Sequence, residues 1–312
     1  MMGWAIEESF IRHPKVLTAN EMHKRLGIKY QTALTMKRRM QIMACELMPA
    51  MRELIHKDLN KEFPAEFKLP KEGTDLTEFN ERHNIVHADT LVLYSMRERY
   101  GRKRHSNKGL TSSIYRSAKY GGEQIGILAH QITNGKWVLL DSIPNLTANT
   151  VGPIIKKSLP RNTALFTDKD YTWLYRIYPN HRMVNHSLKS KDKRYKYSRD
   201  RWCQLGVHNQ KSEGLNNSIK TAFRAYTYIR PKYSTMYLNE WSFFRNLRCF
   251  GLEELGKEKA SEIVVANSRM SVNRSSDNAG DGCGDKYEKV TQACLHRHHE
   301  PPRSRRHLRA CV

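Results

Sequence analysis

The sequence predicts a mixed α/β domain that follows an all-helical region. Residues 84–143 alternate like β-strands, and the pair Asn134-Gly135 between two β-rich runs is a strong hairpin signal. A helix that begins near Thr147 or Asn149 comes next, and a short buried run, TALFTD, follows that helix. Strands that are succeeded by a helix and a further strand indicate a mixed sheet flanked by helices.

Individual elements can be assigned from the apolar pattern. Three strands are predicted in IVHADTLVLYS, EQIGILAHQI and KWVLLDSI, and two more in TALFTD and HRMVNHS. Two helices should occupy residues 207–223 and 233–248. The sheet domain is therefore expected to span residues 84–250.

Residues 1–45 read as a helix-turn-helix. Thr18 followed by Glu21 predicts a capping box at the start of one helix, and Gly27 predicts the tight turn before the next. In such a motif the first turn of the second helix contacts base edges and later cations contact phosphates. The residues assigned to DNA contacts are Lys29, Tyr30, Gln31, Thr32, Lys37 and Arg38. The alternative is an ordinary basic helical hairpin.

Two further segments complete the chain. Residues 46–83 are expected to form a helical connector that ends in a loop, because the run FPAEFKLPKEG is rich in Pro, Lys and Gly. Residues 262–312 are biased towards Ser, Asn, Asp, Gly and Arg, which predicts a disordered basic tail.

Composition points to a polyanion as the partner. The 312 residues include 54 Lys and Arg against 31 Asp and Glu, for a formal charge of +23. Such an excess favours nucleic acid, because neutralised phosphates release counterions. The sequence has no run of 18 apolar residues and no signal-peptide pattern, so we expect a cytoplasmic, nucleoid-associated protein without a membrane segment. Six cysteines without a C-x-x-C pair argue against a disulfide framework and a standard zinc site.

Three acidic residues carry the candidate chemistry. Asp89 lies within an apolar strand, Asp168 ends another strand, and Glu213 lies early in a predicted helix. Carboxylates from separate elements can hold two divalent cations for in-line attack on a phosphodiester. Asp170 lies two residues after Asp168 and remains an alternative for the second carboxylate. Lys220, seven residues after Glu213, shares its helix face and could contact a phosphate.

Several motifs in the same order resemble those of the ISXO-like transposases of bacterial insertion sequences. The resemblance covers residues from about 10 to 248. The segment VHNQKSEGLNNSIK is similar to the family's His, Glu-Gly and Lys motif, FTDKDYTWLY to its second-Asp segment, and VNHS and YLNEWSFFRNLR to later motifs. The helix-turn-helix of the family is matched by LGIKYQTALTMKRRM.

This resemblance implies an RNase H-like catalytic domain with a DDE triad over residues 84–250. The triad would be Asp89, Asp168 and Glu213, holding Mg²⁺ or Mn²⁺, with Lys220 beside it. The implied enzyme cuts element ends and joins them to target DNA, binds terminal inverted repeats through its helix-turn-helix, and acts as a homo-oligomer on DNA. A catalytically inactive DNA-binding remnant acting as a repressor and a stand-alone RNase H-like nuclease are the alternatives.

The chain departs from the family pattern at several places. Thr90 stands where an acidic residue is usual, Gln210 where an Asn is usual, and Asn216 where a Trp is usual. The zinc ribbon that normally precedes the helix-turn-helix is missing from this sequence. We therefore expect a truncated copy of the family's usual reading frame.

Overall fold

A computed structural model of the chain describes residues 1–100, 114–116, 121–185 and 203–273. Residues Met1–Val264 form one compact unit, and Val265–Val312 form a second. Among the described residues, no helix is both long enough and apolar enough to cross a membrane.

The N-terminal region consists of three helices, α1 (Met2–Arg12), α2 (Ala19–Leu26) and α3 (Tyr30–Glu62). The predicted capping box is present: the hydroxyl of Thr18 accepts from the backbone N–H of Glu21 at 3.2 Å, and the Glu21 carboxylate accepts from the Thr18 N–H at 2.9 Å. Gly27 adopts a φ of 64°, a left-handed conformation that closes the turn. A capped helix α2 is therefore joined to α3 by a tight turn at Gly27.

Helix α3 is one continuous helix of 33 residues. The predicted boundary between residues 45 and 46 lies within this helix. Its apolar side continues well past that point, with Met48, Met51 and Ile55 all buried. The helix packs along α8 (Ser234–Phe250), so the region expected to be a connector is part of the core.

The central sheet has five strands: β1 (Val86–Leu93), β2 (Ile127–Thr133), β3 (Val138–Ile143), β4 (Leu165–Asp168) and β5 (His181–Val184). Their order across the sheet is β3-β2-β1-β4-β5. The first three are antiparallel neighbours, whereas β4 and β5 run parallel to β1. This five-stranded mixed sheet confirms the predicted mixed α/β fold.

The remaining helices are α4 (Thr77–Arg82), α5 (Met96–Tyr100), α6 (Ala148–Ser158), α7 (Gln210–Phe223) and α9 (Leu252–Asn273). Apolar residues of α7 and α8 cover one face of the sheet in a cluster that includes Leu91, Ile219 and Trp241, while α3 and α6 contribute to the larger core. A short ribbon pairs β6 (Cys203–Gln204) with β7 (Val207–His208).

The C-terminal part differs from the sequence expectation in one respect. Helix α9 continues to Asn273, so the predicted tail does not begin at residue 262. The rest of that predicted tail, residues 274–312, lies outside the described residues, as do His186 and Ser187 of the VNHS motif.

A buried ion pair joins α3 to α8. The ammonium group of Lys37 contacts the carboxylate of Glu240 and donates to the carbonyl of Leu17 at 2.6 Å. Gln41 donates to the other Glu240 oxygen at 3.0 Å. Both charged side chains are almost fully buried, at 1% and 5% exposure. Since burial disfavours a lone charge, each member of the pair depends on the other.

We expect Lys37→Met to lower the free energy of unfolding by about 3–5 kcal/mol, because it leaves Glu240 buried without a cation. The double variant Lys37→Met/Glu240→Leu should regain most of that loss, since no uncompensated charge remains. Urea denaturation of the purified chain measures both values.

The matched control is Lys29→Met, which removes an exposed lysine directly before the first residue of α3. Its effect should stay within about 0.5 kcal/mol. A double variant as unstable as Lys37→Met alone would show that the ion pair is not the source of the loss.

Candidate active site

The register of β1 and β4 brings two carboxylates together. The strands pair in parallel as far as Ala88 opposite Thr167, and the next residue in each strand is Asp89 and Asp168. In-register residues of neighbouring strands project to the same face, and such strands lie about 4.8 Å apart. The sheet therefore presents Asp89 and Asp168 side by side.

Asp89 occupies a partly buried, hydrogen-bonded position. Its Oδ1 accepts from the backbone N–H of Thr90 at 2.7 Å, and its Oδ2 accepts from Nδ2 of Asn216 at 2.8 Å. Burial raises the pKa of Asp89 to about 6, although both hydrogen bonds act in the opposite direction. The negative charges of Asp168 and Glu213 add to the rise in this pKa. Asp168 and Glu213 are thus both close enough to act electrostatically on Asp89.

Asp168 and Asp170 have different surroundings. Asp168 ends β4, and its Oδ1 accepts from the Lys169 N–H at 2.6 Å, so it caps the 3-10 helix Lys169–Arg176. Asp170 lies in the first turn of that helix and is exposed. Only Asp168 continues the register next to Asp89, which favours it as the second carboxylate.

Helix α7 lies against β1 and β2 and carries the third acid, Glu213, in its first turn. Two side-chain contacts attach the helix at this end. Gln131, the β2 partner of Asp89, donates to the carbonyl of Ser212 at 3.1 Å, and Asn216 donates to Asp89. Lys220 is further along the same helix and is exposed.

Aromatic residues that are not among the predicted site residues also lie near the candidate acids. Tyr171 is 3% exposed, and burial together with the charges of Asp89, Asp170 and Asp168 raises its pKa well above the ordinary value. The imidazole of His87 stacks on that of His208, with ring centroids 5.1 Å apart. Two features of the sequence could have indicated these residues: a tyrosine three residues after Asp168 and a histidine two residues before Asp89.

The oxygen donors suit a hard divalent cation such as Mg²⁺ or Mn²⁺. A cation would stabilise the ionised form of Asp89, whose pKa is raised by burial and by the charges of Asp168 and Glu213. As the side chains stand, however, the described residues contain no group of three or more His, Cys, Asp or Glu positioned to hold a metal ion. Asp89 and Asp168 instead accept hydrogen bonds from Asn216 and from the backbone N–H of Lys169.

The residues assigned to DNA contacts divide into two groups. Lys29, Tyr30, Gln31 and Thr32 are exposed at the start of α3. Lys37 is buried against Glu240, which contradicts its expected contact with a phosphate. The guanidinium of Arg38 is half-buried and lies 4.5 Å from the ring centroid of Tyr233.

Comparisons with known proteins give one match. Residues 96–246, just under half of the chain, match the family model of the ISXO2-like transposase domain. The matched part contains Asp168, Glu213 and Lys220, whereas Asp89 lies seven residues before it. No curated protein and no solved structure matches the chain.

The raised pKa of Asp89 predicts how the free energy of unfolding depends on pH. Its pKa rises from 3.8 to about 6 on folding, so the folded state holds the proton more tightly and loses stability as pH rises through about 6. We expect Asp89→Asn to raise the free energy of unfolding by up to about 3 kcal/mol at pH about 8. The gain should vanish below pH about 4, as measured by denaturation over a pH series.

Asp170→Asn is the matched control, since it removes one charge at an exposed position two residues from Asp168. It should show no comparable gain. An Asp89→Asn variant whose stability tracks that of the wild type at every pH would contradict the proposed burial of the ionised carboxylate.

Proposed function

We propose that Asp89, Asp168 and Glu213 catalyse DNA cleavage and strand transfer. The premise is that residues 96–246 match the ISXO2-like transposase domain. Because the family consists of transposases, the match implies an enzyme that cleaves DNA in transposition. The observation that carries the assignment of residues is the side-by-side placement of Asp89 and Asp168, with α7 packed against β1, the strand of Asp89.

The three carboxylates would hold Mg²⁺ or Mn²⁺. When bound, such cations make a nucleophilic oxygen available at neutral pH and stabilise the charge that develops at the phosphate. Asn216 orients Asp89 through its hydrogen bond and ties the start of α7 to β1. Because Asp89 has a pKa of about 6, it is largely ionised at neutral pH and ready to bind a cation.

Charges outside the triad support binding of the substrate. Lys220 is exposed on the helix that carries Glu213, seven residues further on, which places it on the same face. An ammonium group there would contact a phosphate close to the reacting one. The net charge of +23 favours association with DNA along the chain as a whole.

The start of α3 would recognise the terminal inverted repeats. Tyr30 is 48% exposed, and its neighbours Lys29, Gln31 and Thr32 are exposed as well. Side chains at the N-terminal end of a recognition helix contact base edges in the major groove. Lys37 takes no part, since its ammonium group is held by Glu240.

A strand-transfer assay with the element's end DNA and Mg²⁺ tests the catalytic assignment. Asp89→Ala should lower the yield of joined product by several orders of magnitude, because one of the metal-binding carboxylates is lost. Asp170→Ala, in which an exposed acid is removed nearby, should retain the yield within a few-fold.

Other outcomes of that assay identify other functions. A wild-type chain that hydrolyses DNA without joining it would be a nuclease. One that binds the ends in chelator and never cleaves in Mg²⁺ would be a DNA-binding repressor. An unchanged yield from Asp89→Ala would overturn the triad.

Base recognition by α3 is tested separately. Gln31→Ala should weaken binding to the terminal repeats by about 10- to 100-fold, the usual cost of losing a base contact, while binding to unrelated duplex stays the same. Ile42→Ala is the control, at a partly exposed position three turns further along the helix. Equal losses on both duplexes from Gln31→Ala would place this residue away from base edges. Electrophoretic mobility-shift assays at a fixed salt concentration measure the affinity for each of the two duplexes.

A further inference from the structure

The segment that follows Glu213 has an unusual charge pattern. Residues 214–239 contain no Asp or Glu, although the whole chain has 31 acidic residues. Four cations occur in the segment, and tyrosines are interleaved with them. The cations are Lys220, Arg224, Arg230 and Lys232.

These four cations face solvent. All are exposed, and none forms an ion pair with another residue in the part of the chain that the structure describes. Other exposed cations do have carboxylate partners: Lys257, for example, lies 2.8 Å from an oxygen of Glu254. The positive charge of this segment is therefore not neutralised by the nearby described side chains.

Tyrosine packing fixes the segment in place. Tyr226 makes edge contacts with the rings of Phe223 and Tyr237, with centroids 5.8 and 4.7 Å away. Tyr94 anchors the end of α7 by donating its hydroxyl to the carbonyl of Phe223 at 2.7 Å. Because the tyrosine rings pack inward, they hold the backbone while the cationic side chains project outward.

The segment also adjoins the start of α3. The guanidinium of Arg38 lies 4.5 Å from the ring centroid of Tyr233 and 5.3 Å from that of Tyr237. Gln31 is seven residues before Arg38, so the two lie on one face of the helix. The face of α3 assigned to base recognition thus continues directly onto the 214–239 segment.

At its other end the segment reaches the candidate active site. Arg224 follows α7 directly, 11 residues after Glu213, which corresponds to about 16 Å of helix. At about 3.4 Å per base pair, that length matches about five base pairs of duplex. The segment therefore carries exposed cations from the helix of Glu213 to the tyrosines that contact Arg38 of α3.

We propose that Arg38, Lys220, Arg224, Arg230 and Lys232 form a backbone-binding surface for the element-end duplex. It contacts the phosphates between the base pairs read by α3 and the phosphate that is cut. Arginine and lysine side chains bind phosphate oxygens, and a rigid backbone lowers the entropic cost of doing so. This inference rests on the proposed function, because it supposes that α3 and the carboxylates act on one DNA molecule.

The test uses a triple variant, Arg224→Gln/Arg230→Gln/Lys232→Gln, in the full chain. Binding is measured in chelator by fluorescence anisotropy over a salt series, with the element's end duplex, with the same duplex shortened by about five base pairs at the cut end, and with an unrelated duplex of the full length. We expect the slope of log affinity against log salt to fall in magnitude by about 2 to 3 on the full duplex, and the affinity at low salt to fall at least about tenfold. On the shortened duplex the variant should match the wild type.

The matched control removes three exposed cations on α6 and just after it, Lys156→Gln/Lys157→Gln/Arg161→Gln. It has the same net charge as the test variant and should leave the slope on the end duplex nearly unchanged. Circular dichroism melting of both variants verifies that they fold.

Three results would overturn the inference. Equal losses from the two triple variants would mean that net charge alone acts, and equal losses on the full and shortened duplexes would place the surface elsewhere. A loss confined to unrelated duplex would make it a surface for target DNA. Failure of the proposed function is recognised differently, since the wild-type chain would then either show no preference for the end duplex or bind it without cleaving it in Mg²⁺.

Discussion

The parallel pairing of β1 with β4 is the constraint on which the candidate site depends. With Ala88 opposite Thr167, the next residues are Asp89 and Asp168, and they share one face of the sheet. A shift of register by one residue would turn one carboxylate to the opposite face. On the other side of β1, Gln131 faces Asp89 and holds the start of α7 through Ser212. Strand register thus positions all three acids.

That arrangement costs stability. Asp89 has a raised pKa because it is buried near two other acids, so its ionised form is held at the expense of folding free energy. Its two hydrogen bonds offset only part of this cost. An apolar side chain in place of Asp89, on the face that it shares with Leu91, would avoid this cost. The cost is consistent with the proposed role of Asp89 in binding a cation.

Local patterns in the sequence predicted much of this molecule. Alternating strands, the Asn134-Gly135 turn and the Thr18 capping box each depend on residues close together in the chain, and all are present. Pairings between distant residues could not be predicted in this way. Lys37 resembled a phosphate contact because its partner, Glu240, is 203 residues away. Likewise, the choice between Asp168 and Asp170 required the register of β4 against β1.

The buried Lys37–Glu240 pair affects how DNA recognition relates to chemistry. A buried ion pair contributes little net stability compared with apolar residues, but it specifies one arrangement of the elements that carry it. Here it fixes α3 on α8, within the same compact unit as the carboxylates. A base-reading helix on a flexible linker would present many phosphates to the site. Because α3 is continuous and anchored, base pairs read at its start would be held at a nearly constant distance from Asp89, which favours cutting at a single phosphate.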